Sequence, residues 1–124
     1  MRGRASGGQR RGERGMVTAE LAVATLAAGA VMILLCWGIY LMVLQVRCID
    51  TAAEVARQAA RGDSAAVAKA EREAPEGARV EISRSPSLVR VEVRLVARPL
   101  AVGLASVPLT ARAEVVPEPG EGSP

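Results

Sequence analysis

The chain has 124 residues and a mass of 12.9 kDa, room for one small domain. Half of its residues are apolar, yet Trp37 and Tyr40 are its only aromatics, and it contains neither Phe nor His. Without His the commonest general base, metal ligand and triad partner is missing, and no phosphate loop, metal-ligand cluster or nucleophile–base pair stands in its place, so neither an enzyme nor a cofactor is expected. The basic pI of about 9.5 comes from residues 1–15, which hold five Arg against Glu13, while the remainder carries eleven basic and twelve acidic residues. A short Gly-rich leader with five Arg and no aromatic platform does not make a nucleic-acid surface, and none is expected.

After that leader, Leu21 to Val46 is a run of 26 residues without a charge. As an α-helix it measures about 39 Å, against about 30 Å of bilayer hydrocarbon. No small-residue cleavage site closes the run, so it reads as a retained transmembrane helix over residues 16–46 and not as a secretory signal. A chain this short could not surround such a run as a buried core helix. Five Arg precede the span, whereas Arg47 and Asp50 nearly balance after it, which predicts a cytoplasmic N-terminus and an extracytoplasmic C-terminus in the inner or plasma membrane.

Glu20 stands immediately before the run, where an ionised carboxylate is costly unless something neutralises it. The segment RGERG/MVTAELAVATLAAGAVMILL resembles the N-terminus of a class III, type IV-like prepilin. The resemblance implies cleavage by a prepilin peptidase after Gly15, leaving Met16 as the first residue and Glu20 as the fifth. A glycine can enter a tight protease site in extended form. The new α-ammonium at Met16 would then lie one helical turn from Glu20 and could neutralise the Glu20 of a neighbouring subunit, setting register in an assembly. The competing reading is that Glu20 decorates a helix N-terminus.

Residues 47–74 read as a helical stalk outside the membrane. Cys48, Ala52, Val55, Ala56 and Ala59 form one stripe, so the helix is expected to run from Met16 to Arg61. Gly62 supplies a stop, and Asp63 or Ser64 a cap for a short second helix reaching about Arg72. Arg61, Gly62 and Asp63 spell an adhesion tripeptide, but the stop and the cap explain them better. Cys36 and Cys48 are twelve residues apart on one helix, about 18 Å, too far for an internal disulfide. Cys36 reads as an apolar filler, and Cys48, just outside the membrane, as a candidate for a bridge between chains.

Beyond Pro75 and Gly77 the period changes to two. Ala78–Arg84, Leu88–Arg98 and Val107–Val116 alternate apolar and polar residues and predict three antiparallel strands, the first two joined through Arg84, Ser85, Pro86 and Ser87. The expected fold class is α+β: one long N-terminal helix, a short helix, and a three-stranded antiparallel head over residues 75–116 whose apolar face packs on the stalk. Residues 117–124 read as a disordered tail.

The whole pattern of basic leader, long Ala-rich helix and small strand-rich head resembles TadE-like minor pilins, or pseudopilins, of the tight-adherence pilus system. Major pilins of that system carry a Tyr after the acid and end soon after the helix. Here Leu21 follows Glu20 and a head is present, which favours a minor subunit. The resemblance implies a membrane-inserted subunit whose partners are the prepilin peptidase, other pilin subunits and the assembly machinery. The alternative from another class is an uncut single-pass anchor whose head binds an envelope or secretion-machine component.

Overall fold

The computed structural model describes residues 9–99 and 103–117, with side chains from residue 12 onward. Its elements are α1 (Gln9–Ala60), α2 (Ser64–Arg72), β1 (Arg79–Ser85), β2 (Leu88–Ala97) and β3 (Val107–Val115). This is the expected α+β arrangement, and the chain divides into two compact units at Gly38 and Ile39. Most of the expected leader and tail, residues 1–8 and 118–124, lies outside the described residues.

The first unit is the N-terminal part of α1. The expectation of a helix beginning at Met16 is corrected here, because α1 already includes residues 9–15 and takes Gly12 and Gly15 into regular helix. Arg, Gln and Glu are good helix formers and offset the roughly 1 kcal/mol that each glycine costs relative to Ala. Every described side chain from residue 12 to residue 36 is exposed. The helix contains a window with a mean hydropathy of 2.3, long and apolar enough to cross a membrane.

In the second unit, α1 buries the predicted stripe of Cys48, Ala52, Val55, Ala56 and Ala59, and adds Leu44 to it. Small residues dominate the stripe, which lets the helix approach the sheet closely. Gly62, at φ +75°, ends α1: its N–H donates to the Ala59 carbonyl and that of Asp63 to the Gln58 carbonyl, the Schellman pattern of a helix C-terminus. Asp63 then caps α2, its carboxylate accepting from the Ala66 N–H at 2.9 Å. The tripeptide of residues 61–63 is thus a corner between two helices. Val67 and Ala70 of α2 join the core.

The sheet has the order β1-β2-β3, antiparallel throughout. Central β2 supplies most of the sheet's share of the core, with Val89, Val91, Val93, Leu95 and Ala97 buried, and β3 adds Ala111. The strand bounds shift by a residue or so from those predicted. Pro86 and Ser87 alone connect β1 to β2, and neither has positive φ, so this link is not one of the mirror-image turns usual for two-residue hairpins. Pro86 fixes φ near −65°, the value wanted at the first corner of an ordinary turn.

Candidate functional site

The candidate processing and assembly residues all lie on the first unit. Gly15 is helical, and a side chain added there would meet nothing within 4 Å, so the backbone is open on that side. Met16 is 70% exposed. Glu20 follows it by four residues, which places both on one face of the helix.

The three polar side chains between residues 16 and 35 differ in one respect. Thr18 donates to the Arg14 carbonyl and Thr25 to the Leu21 carbonyl, each at 2.8 Å. Both hydroxyls are therefore satisfied by their own helix and can enter an apolar medium cheaply. Glu20 has no hydrogen-bond or ion-pair partner among the described residues. A helix can satisfy a hydroxyl from within but not a carboxylate, so Glu20 is the one group in this stretch that needs a partner from outside it.

Cys48 stands differently from its expected role as a bridge between chains. It is wholly buried and unpaired, and burial pushes its thiol pKa up while Arg47 pulls only weakly the other way. A second chain cannot reach the sulfur unless the head opens, because the stripe that carries it faces the sheet and not solvent. Cys36 is exposed and also free.

Gln45 is the functional contact that sequence reasoning missed. It stands at the end of the expected membrane span, but its side-chain amide donates to the Thr110 carbonyl at 3.1 Å. Together with buried Leu44, it assigns the last turn of the apolar run partly to the head. The signal was a lone amide among apolar residues, and only the placement of β3 shows what it meets. Since β3 is an edge strand, that carbonyl would otherwise be an open pairing site, and Gln45 closes it. Pro108, two residues earlier, has its nitrogen on the same free edge and costs the ladder no bond.

The remaining polar groups described gather in two places. Arg47, Asp50, Thr51, Glu54, Ala70 and Glu73 line an open cleft of about 240 Å³ between α1 and α2. Hydrogen bonds from Gln58 and then Arg57 hold the Glu54 carboxyl below its usual range. On the outer face of the sheet, Arg94 and Arg112 hold Glu92 low in the same way. Among the described residues no three His, Cys, Asp or Glu side chains converge as a metal site would require.

No family model and no solved structure matches the chain. Among known proteins it is similar to the apoptosis inhibitor Rv3655c of Mycobacterium tuberculosis, with 39% identity over 103 residues, covering 82% of this chain and 78% of that protein. With identity at this level across most of both chains, the chain belongs to the family of that mycobacterial protein.

Proposed function

We propose that this protein is a TadE-like minor pilin or pseudopilin, made as a prepilin, cut after Gly15 by a prepilin peptidase and assembled through the first part of α1. The observation that supports it most is the unpartnered Glu20 at the start of an apolar helix whose threonines are internally satisfied. In this reading α1 first holds the subunit in the inner or plasma membrane, with its N-terminus cytoplasmic and its head outside. Cutting then creates an ammonium at Met16, which approaches the Glu20 of a neighbouring subunit. In a medium of low dielectric, two such charges are costly apart and favourable together.

Gly15 and Glu20 are recognition and assembly residues, and the bond chemistry at Met16 belongs to the peptidase. Because Gly15 is helical, the peptidase must unwind one turn to reach the scissile bond. Gly12 and Gly15 each weaken the helix there by roughly 1 kcal/mol relative to Ala. Ala24, Ala27, Ala28 and Ala30, all exposed, offer the close helix approach that drives association in lipid.

Mass spectrometry of protein purified from cells that possess the peptidase should find a chain starting at Met16. Glu20→Ala should leave insertion and cutting intact and lower incorporation into filaments. An intact Met1 chain would favour the uncut anchor instead, and normal assembly of Glu20→Ala would remove the role given to the carboxylate.

A further inference from the structure

We infer that the head has a second, separate contact with the bilayer: the end of the sheet around Val96 and Pro108 lies in the headgroup layer beside α1. The inference rests on the membrane reading above and adds a surface to it.

The geometry starts from Gln45. Its bond to Thr110 fixes one row of the sheet, in which Arg79 pairs with Arg94 and Arg94 with Thr110, at the level of the last turn of the apolar run. The buried α1 stripe continues from there only toward Ala59, so Val89, Val91 and Val93 cover the later turns. The other end of the sheet, where Val96 pairs with Pro108 and Ala97 with Val107, lies on the opposite side of that row from Val89 and Val91, which in this inference directs it back along Ile39–Val46. There Ile39, Met42, Val43 and Val46 are exposed on α1.

The outer face of the sheet changes character at this row. On the far side it is a charged lattice, Arg90 with Glu114 at 2.6 Å and Glu92 with Arg112 at 3.1 Å. On the near side Val96 is 55% exposed and Pro108 is exposed, and the described residues 103–111 contain no charge. At or behind the boundary row, Arg47 and Arg79 form no ion pair among the described residues, while Arg98, equally unpaired, follows Val96 at the near end, where its long side chain can reach back to headgroup phosphates. Apolar groups at the tip with unpaired guanidinium groups behind them match the order of a bilayer surface, acyl boundary first and phosphates above. A protein partner at this level would have to displace lipid already bordering α1, whereas lipid needs only to stay.

The test uses the full chain in phosphatidylglycerol-containing vesicles, with Cys36→Ala to remove the accessible thiol. Single cysteines at Val96, Ser106, Ser83 and Leu26 each carry an environment-sensitive dye, and lipids with a nitroxide at shallow depth act as quencher. Buried Cys48 stays unlabelled in a folded head and so reports folding of each variant, and Ser106→Cys replaces Val96→Cys should the latter fail that check. The expected result is blue-shifted emission and loss of most fluorescence to the quencher at positions 96 and 106, with no loss at Ser83. A label at 96 or 106 as water-like as at Ser83, while Leu26 is shielded, overturns this contact alone. Equal quenching at Ser83 and Val96 overturns the polarity assigned to the head. An unshielded Leu26 overturns the membrane reading and this inference with it.

Discussion

Two stretches of the single helix α1 use similar residues to opposite ends. Between Leu21 and Cys36, Ala24, Ala27, Ala28 and Ala30 lie in the open together with Leu26 and Met32. Between Leu44 and Ala59, Cys48, Ala52, Val55, Ala56 and Ala59 are buried. Helix propensity is alike in both. What differs is the companion: the second stretch has charges around the rest of its cylinder and a sheet in the same chain to cover its stripe, while the first is apolar all round and meets no such cover. A helix apolar on every side finds its companion in lipid or other helices; one with a stripe finds it in its own fold.

The largest way to break this comparison is a charge placed in each stretch. Val55→Asp buries an unpaired carboxylate and should cost several kcal/mol, abolishing hydrogen-exchange protection in β1–β3. Leu26→Asp should leave that protection intact, since the residue is 75% exposed and belongs to the other unit. Loss of head protection in both variants would mean that the two stretches do not act independently.

A smaller effect separates the two thiols. In detergent, Cys36 should alkylate readily while Cys48 reacts only through opening of the head. Because burial raises the Cys48 pKa, the folded state binds its proton more tightly than the unfolded one. Its contribution to stability is therefore complete below the unfolded thiol pKa and is lost as pH rises through the folded value. Denaturant midpoints should fall above about pH 9 in the native head and fall less in Cys48→Ala, measured against its own neutral-pH value.

The smallest effect lies in the charged lattice. Glu92 is held low by Arg94 and Arg112, so its stabilising share is present above the ordinary carboxylate pKa and is lost as pH falls through the depressed one. Glu92→Gln should lower the melting temperature slightly at neutral pH, and added salt should shrink the difference, because these pairs are open to solvent. A difference insensitive to salt would point to packing and not charge.

Much of this architecture was legible because periodicity reports which face a segment must bury. The stripe from Cys48 to Ala59, the alternation of Val89, Val91 and Val93, and the stop and cap at Gly62 and Asp63 needed no knowledge of the neighbouring element. Residues whose role depends on a distant partner were not legible. Gln45 meets a carbonyl 65 positions away, and nothing local distinguishes it from a tolerated polar residue in a membrane run. Cys48 was read at once as a core position and as an accessible thiol, and only the sheet lying over it decides between them.

The amino-acid sequence by itself determined the elements, the apolar run and the isolation of Glu20, since these follow from the order of charges and from the repeat of apolar side chains along one segment. Tertiary structure alone decided that the last turn of the apolar run is shared with the head and that Cys48 is closed to other chains. The physical reason is that burial and hydrogen bonding between remote segments depend on where the sheet comes to rest against the helix, and no local pattern encodes that position.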